Sequence, residues 1–195
     1  MKVNEIFYSI QGEGMNTGRA AVFIRLSGCN LKCPFCDTDF SKSEEMTVEQ
    51  ITDEVCRIAK SCRFVVITGG EPTIQDCVPL IDTLQRVGFT VAMESNGTRR
   101  APYNVNWLTI SPKAPFLDGE AAKIRHLHCD ELKLVFDGVH EPYDYGITAK
   151  YYYLQPCDTG DKATNEIIIA QCVEYIKNHP QWKLSLQTQK ILNVR

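Results

Sequence analysis

The chain has 195 residues, enough to bury one core, and its 44% hydrophobic and 23% charged residues are typical of a globular protein. Its formal net charge is -3 and its Lys and Arg residues are scattered, so nucleic acid is not expected as a partner. No apolar signal core opens the chain and no run approaches the ~20 apolar residues of a membrane span, which predicts a cytoplasmic protein with no membrane contact.

The first half of the chain predicts alternating strands and helices. Two short apolar runs that end at glycine-rich turns are typical of buried parallel strands. Between them, Thr47 and Gln50 have the spacing of a capping box, and the apolar residues that follow fall on one helical face. A second helical pattern stops at Gly88. The predicted elements of this half are a strand at 20–28, a helix at 47–62, a strand at 64–72, a helix at 74–87 and a strand at 89–95.

The second half predicts a similar but reduced arrangement. The segments that join its first strands carry little helical pattern, and its final helix ends at Pro180. Alternation of this kind specifies an α/β fold with a parallel sheet, flat or rolled into a partial barrel, and a site at the carboxyl ends of the strands. We expect one domain over residues 1–195. The predicted elements of this half are strands at 107–112, 132–138 and 151–156, a helix at 165–180 and a strand at 182–188.

Three cysteines are clustered in the stretch "GCNLKCPFCDTDF" directly after the first predicted strand. Three residues separate Cys29 from Cys33, and two separate Cys33 from Cys36. A structural zinc site usually has four ligands, and no matching second pair of Cys or His follows in the sequence. A 4Fe-4S cluster can be held by three thiolates, which leaves one iron open to a ligand that is not protein. The nine cysteines are an odd, irregular set with no secretory signal, so we expect reduced thiols.

Two glycine-rich stretches are each uninformative when taken alone. "TGGEP", residues 68–72, reads as a tight turn before a helix start, although its glycines would also let backbone approach a ligand. "SIQGEG", residues 9–14, lies before the first predicted strand and reads as a turn, or as a loop that lines a flat polar heterocycle.

Taken together, these motifs resemble those of a known enzyme family. The cysteine spacing, Phe35 and the "TGGEP" turn are similar to the signature of the radical SAM superfamily, whose open iron binds S-adenosylmethionine. With "SIQGEG", "IRLSGCN", "CDTDF", "ESNG", "SPK" and "LQP", nearly the whole chain resembles the 7-carboxy-7-deazaguanine synthase family of deazapurine (queuosine precursor) biosynthesis. The resemblance implies a compact, modified partial (β/α) barrel with an N-terminal substrate-binding segment and a C-terminal helix-strand extension.

The resemblance also implies a set of functional residues. The cluster would be held by Cys29, Cys33 and Cys36, and a Mg2+ ion by Thr38. S-adenosylmethionine would be bound by Gly70, Ser111, Pro112, Lys113 and Gln155, with Glu71 and Glu94 as weaker candidates. The pterin substrate would be bound by Ile10, Gln11, Gly12, Arg25 and Thr68. Glu94 is equally consistent with an ion pair to a Lys or Arg, and an ion pair is the alternative for Arg25, which its place in an apolar strand makes less favourable.

The implied reaction is a lyase reaction on 6-carboxy-5,6,7,8-tetrahydropterin. A flavodoxin-type reductant would pass one electron to the 4Fe-4S cluster, and cleavage of S-adenosylmethionine would yield a 5'-deoxyadenosyl radical that removes the hydrogen at carbon 6. Mg2+-assisted ring contraction with loss of ammonia would give 7-carboxy-7-deazaguanine and regenerate S-adenosylmethionine. The family is dimeric, so a homodimer is expected.

One position departs from the family pattern, and two other functions stay open. Many members have Gln-Thr-His-Lys near the end, whereas this chain has Gln189 in place of the His and ends at Arg195. Gln cannot carry a proton as imidazole does, which puts the role of that His and any contact of the chain end with substrate in doubt. One alternative is an activating enzyme that installs a glycyl radical on a partner protein. The other is a non-catalytic iron-sulfur or zinc module.

Overall fold

The computed structural model describes residues 1–36, 39, 43–117 and 119–194. Within them, a single sheet has the strand order β3-β1-β2-β4-β5-β6-β7-β8-β9. The strands are β1 (Lys2–Ile10), β2 (Ala20–Leu26), β3 (Glu44–Glu45), β4 (Phe64–Gly69), β5 (Thr90–Ser95), β6 (Trp107–Ile110), β7 (His128–Phe136), β8 (Thr148–Pro156) and β9 (Lys183–Leu184). The helices are α1 (Val48–Ala59), α2 (Val78–Arg86), α3 (Lys162–Asn178) and α4 (Thr188–Ile191).

The sheet is the predicted parallel α/β arrangement with an antiparallel edge. Every neighbouring pair from β2 to β9 is parallel, whereas β1 pairs antiparallel with both β2 and β3. The loop after β1 hydrogen-bonds the segment after β9, because Thr188 N donates to Gly12 O over 3.1 Å. The sheet therefore curls toward closure without pairing its edge strands, which confirms a partial (β/α) barrel.

Helix α1 forms where the sequence predicts it. Thr47 Oγ1 accepts a hydrogen bond from Gln50 N, and Gln50 Oε1 accepts one from Thr47 N, which is the reciprocal capping box. A cap of this kind stabilises a helix by about 1 kcal/mol. The buried face of α1 joins the larger hydrophobic core, which lies between the sheet and the helices. This β2-α1-β4 unit places the cysteine loop and the "TGGEP" turn at the ends of two adjacent strands.

On β2 and β4, the inner face of the sheet changes from apolar to polar along the strand. On β2, apolar Phe23 belongs to a small inner core, and it is followed two residues further on by charged Arg25, which lines a cavity. On β4, Val66 and Thr68 show the same change. Side chains two residues apart share a face, so alternate positions near the carboxyl ends present polar groups inward. The apolar residues between these positions belong to the larger hydrophobic core on the other face of the sheet.

The second half is reduced, as predicted. In the described residues, only short 3-10 turns lie between β6 and β7, at Ala114–Phe116 and Glu120–Ala122. One side of the inner face is consequently bordered by loops. None of the helices in the described part of the chain has the length and apolarity needed to cross a bilayer.

The sequence analysis misses one long strand and misplaces the bounds of several other elements. Strand β1 was not predicted, because a register shift between Val3 and Glu5 interrupts its alternating pattern. Ser9 and Ile10 therefore belong to β1, and "SIQGEG" is not wholly a loop. Helix α2 begins at Val78, after a 3-10 turn at Pro72–Ile74. The last strand has only two residues, because the chain then turns toward Gly12 and forms α4.

Candidate active site at the carboxyl ends of the strands

A cavity of about 670 Å³ opens where the parallel strands end. Its size suits a cofactor and a small substrate side by side. It is lined by residues from β1, β2, β4, β5, β7 and β8, from the turn after β6 and from the segment after β9. Among the predicted site residues it brings together are Ile10, Gln11, Gly12, Arg25, Cys29, Cys33, Cys36, Thr68, Gly70, Glu94, Ser111, Lys113 and Gln155.

The cysteine loop, residues 28–36, follows β2 directly and supplies three thiols to this cavity. None of the three is in a disulfide within the described residues, and Cys29 and Cys36 are exposed. Leu31 N donates to Cys29 Sγ over 3.4 Å, and Cys36 N donates to Cys33 O over 3.2 Å. Burial raises the pKa of both Cys29 and Cys33, and nearby Lys113 partly offsets this at Cys33.

The donor set of this loop fits a 4Fe-4S cluster. Three accessible thiols with short spacers are the usual cluster ligands. In the described residues, no three Cys, His, Asp or Glu side chains converge as ligands of a single metal ion. A cluster does not require such convergence, since each thiolate binds a different iron.

The "TGGEP" turn packs against the start of the cysteine loop. Gly70 N donates to Leu26 O and Glu71 N donates to Gly28 O, each over 2.9 Å. Gly69 has a φ of +112°, and a Cβ on Gly70 would collide with the carbonyl group of Gly28. The glycines therefore allow two backbones to meet, and Gly70 also lines the cavity.

Glu71 lies outside the cavity lining. Its side chain is buried, at 1% exposure, and its carboxylate accepts four hydrogen bonds. Two come from Thr73, one from Ser95 Oγ over 2.8 Å and one from Asn96 N over 2.6 Å. In this structure Glu71 ties the "TGGEP" turn to the end of β5.

A charged network, made of Glu13, Glu94 and Lys133, lies on another side of the cavity. Lys133 Nζ is hydrogen-bonded to Glu13 Oε2 and lies 3.9 Å from Glu94 Oε2. Burial opposes the charges, yet the mutual attraction lowers the pKa of Glu13 and raises that of Lys133. Gln187 and Gln189 donate to Glu13 Oε1 over 3.1 and 3.0 Å. The ion-pair alternative for Glu94 is thus present, although Glu94 also lines the cavity.

The predicted pterin-binding residues adjoin this network. Gln11 Nε2 donates to Glu94 Oε1 over 2.9 Å, and Thr68 Oγ1 lies 3.5 Å from Glu94 Oε2. Arg25 Nε lies 3.2 Å from Glu5 Oε1, and its guanidinium is 5.5 Å from the centre of the Phe7 ring. The ion pair that its strand position made less favourable therefore exists, while Arg25 still lines the cavity.

Gln189, where many family members have His, packs directly on Gly12. A Cβ on Gly12 would collide with the amide of Gln189. The Gln189 Oε1 atom is buried and has no hydrogen-bond partner in the described residues. A larger residue at position 12 would displace the amide that donates to Glu13.

The "SPK" turn follows β6. Lys113 Nζ donates to Ser111 O over 2.7 Å and to Ser111 Oγ over 2.6 Å. Burial, with the nearby charge of Lys133, lowers the pKa of Lys113 to about 8. Pro112 is buried and does not line the cavity. Gln155 on β8 lines it and accepts a hydrogen bond from Ser185 Oγ over 3.0 Å.

Thr38 and Arg195, two positions named in the sequence analysis, lie outside the described residues. Sequence reasoning missed several cavity residues, including Glu13, Lys133, Gln187, Lys190 and Asp158. A signal for Lys133 was present, because it is a charged residue in the apolar run "LKLVFDG".

Comparison with known proteins defines the class of this site. The family model of the Radical SAM superfamily matches residues 23–141. The chain belongs to this superfamily, whose members carry a 4Fe-4S cluster and use S-adenosylmethionine.

Curated relatives narrow the class further. The chain is 41% identical over 194 residues to a 7-carboxy-7-deazaguanine synthase of Bacteroides thetaiotaomicron, covering 100% of this chain and 98% of that one. It is 37% identical to one of Bradyrhizobium diazoefficiens, covering 99% and 98%. The crystal structure of QueE from Escherichia coli superposes with a TM-score of 0.67 at 28% identity, covering 95% of this chain and 92% of that chain. The chain belongs to the 7-carboxy-7-deazaguanine synthase family, and this likeness over the whole length favours a synthase over both alternatives.

Proposed function

We propose that this radical SAM enzyme converts 6-carboxy-5,6,7,8-tetrahydropterin to 7-carboxy-7-deazaguanine with loss of ammonia. The observation that supports this most directly is the shared cavity. One space is lined by the cluster-binding cysteines and by Gln11, Arg25 and Thr68 of the pterin-binding pattern. A radical formed beside the cluster would then act on a substrate held within reach and away from water.

Cys29, Cys33 and Cys36 would hold the 4Fe-4S cluster, with S-adenosylmethionine beside it at Gly70, Ser111, Lys113 and Gln155. When bound, these cofactors supply the reductive cleavage that starts hydrogen abstraction at carbon 6. Pro112 would support this site by fixing the turn between Ser111 and Lys113. Glu71 would contribute by holding the "TGGEP" turn, because its carboxylate is fully engaged.

The chain's own residues would bind and orient the pterin. Arg25 can pair with the substrate carboxylate, because a guanidinium presents five N–H donors. The Nε atom faces Glu5, which leaves the donors of the two terminal nitrogens for the substrate. Ile10, Gln11 and Gly12 would lie along the ring, and Thr68 would contact its edge. Glu13 and Glu94 add acceptors for ring N–H groups.

Three further parts of the proposal rest on the family resemblance. Thr38 would ligate a Mg2+ ion near the substrate, a setting typical for a cation that keeps few protein ligands. A flavodoxin-type protein would deliver the electron. The enzyme would work as a homodimer.

An anaerobic assay tests the proposed function. Reconstituted protein would be mixed with dithionite, S-adenosylmethionine, Mg2+ and the carboxytetrahydropterin, and the deazaguanine product followed by mass. We expect product only when all four are present. Formation of 5'-deoxyadenosine without product would refute the substrate assignment, and no cleavage by cluster-loaded protein would refute the radical SAM activity.

A further inference from the structure

Lys133 is a buried cation whose position suggests a task beyond charge balance. It lies on β7, two residues after Glu131 and on the same inward face. Its side chain is only 6% exposed, yet the residue lines the cavity. Burying a lysine is costly unless its ammonium group is paired, so its environment must repay that cost.

The partners of Lys133 come from distant parts of the chain. Glu13 follows β1, and Glu94 lies on β5, so folding brings a loop carboxylate and a strand carboxylate to one ammonium group. Two carboxylates in a site of low dielectric repel each other, which favours protonation of one of them. A cation between them, within reach of both carboxylates, offsets this repulsion.

The remaining contacts of the two carboxylates fix their direction. Glu13 Oε1 accepts from Gln187 and Gln189 while Oε2 accepts from Lys133. Glu94 Oε1 accepts from Gln11. A carboxylate oxygen can accept two hydrogen bonds, so acceptor capacity remains for a ligand in the cavity.

We propose that Lys133 is a positioning residue for substrate binding, because it holds Glu13 and Glu94 in place as a pair of acceptors for the N–H donors of the tetrahydropterin ring. This inference rests on the proposed function. Lys133 acts through the two carboxylates and does not contact the reacting carbon.

The test compares Lys133→Met with Lys133→Arg, which keeps the charge. The matched control is Lys150→Met, which removes the ion pair of exposed Lys150 on β8 with Asp130 on β7, the strand that also carries Lys133. In the anaerobic assay, we expect Lys133→Met to raise KM for the pterin at least about 30-fold, the loss typical when one partner of a buried charge pair is removed. Lys133→Arg should stay within about fivefold of wild type, and Lys150→Met within about twofold.

A purely structural role would give a different pattern. If Lys133→Met lowered kcat and cluster content while KM stayed within about threefold of wild type, the inference would be overturned. If Lys133→Met failed to fold, the double variant Glu13→Gln/Lys133→Met would replace it, because it leaves neither charge of the closest pair alone. We expect that variant to take up the cluster and to retain the high KM, and a wild-type KM would overturn the inference.

The outcomes separate this inference from the proposed function. Wild-type protein that forms no deazaguanine refutes the proposed function itself. Wild-type protein that forms product, with an unchanged KM in Lys133→Met, refutes only the role of Lys133.

Discussion

The cysteine loop and the charged network line the same cavity but differ in how the chain holds them. The three cysteines lie within eight residues of sequence, Cys29 to Cys36, and two of them are exposed. In the charged network, Lys133 contacts Glu13, 120 positions away, and Glu94 is held from outside the network by Gln11, 83 positions away. The groups of the network are largely buried. A cluster brings its own geometry, so its ligands need only the right spacing. A substrate site for a neutral ring must be built in advance by the fold.

The largest effect should come from the cysteine loop. Cys33→Ala removes one of three cluster ligands, so we expect loss of the cluster and of both 5'-deoxyadenosine and product. Iron content, visible absorbance and the anaerobic assay would measure this. Cys56→Ala, at an exposed thiol on α1 outside the cavity, is the control and should retain all three. Product formation by a cluster-free Cys33→Ala protein would contradict the assignment.

The charged network should instead contribute to the stability of the fold. Glu13→Gln leaves Lys133 buried beside a neutral partner, and we expect the free energy of unfolding at pH 7 to fall by about 3 kcal/mol. Urea unfolding would measure it. Glu54→Gln, which removes an exposed pair to Arg57 on α1, should change the free energy by less than about 1 kcal/mol.

The same variant predicts a pH dependence. Burial works against ionised Glu13, but Lys133 and the two glutamines lower its pKa from 4.5 to about 2. Because the pKa in the folded state is below that in the unfolded state, the contribution is complete above about pH 4.5 and is lost as pH falls toward 2. The difference in unfolding free energy between wild type and Glu13→Gln should shrink over that range. A difference that does not vary with pH would contradict the ion pair.

A substitution at Glu71 tests whether the "TGGEP" motif stabilises the fold or serves only to bind S-adenosylmethionine. In Glu71→Gln, one oxygen is replaced by an NH2 group that cannot accept from Thr73, Ser95 or Asn96. We expect the unfolding free energy of the cluster-free protein to fall by about 2 kcal/mol without any ligand present. Unchanged stability with a loss of S-adenosylmethionine affinity would instead assign Glu71 to the cofactor.

The smallest effect should come from the rim beside the charged network. Lys190 Nζ lies 2.7 Å from Asp158 Oδ2, and this contact, with those of Gly160 and Asn165, lowers the pKa of Asp158 to about 2. Both side chains are at least one-third exposed, so Lys190→Met should cost less than about 1 kcal/mol, and the loss should decrease in high salt. Unfolding at two salt concentrations would measure it, and a larger loss that is independent of salt would show a different role.

The two regions also differ in how far the sequence predicts them. The spacing of Cys29, Cys33 and Cys36 is visible along the chain, and so are the capping box at Thr47 and the apolar strands. These features could be predicted from the sequence because each depends on neighbours within a few residues. Glu13 and Lys133 meet only in the folded chain, so neither pattern nor periodicity pairs them. Strand β1 was missed for a related reason, since its bulge is defined by its pairing with β2.

The central claim is that the cysteine loop and the charged network serve different ligands. It is tested most directly by measuring how the Glu13→Gln variant binds S-adenosylmethionine and the pterin, each added alone. Calorimetry on cluster-loaded, unreduced protein would give one Kd for S-adenosylmethionine and one for the carboxytetrahydropterin. We predict that the pterin Kd rises at least about tenfold while that of S-adenosylmethionine stays within about threefold of wild type. Equal weakening of both ligands would contradict the separation of the cysteine loop from the charged network.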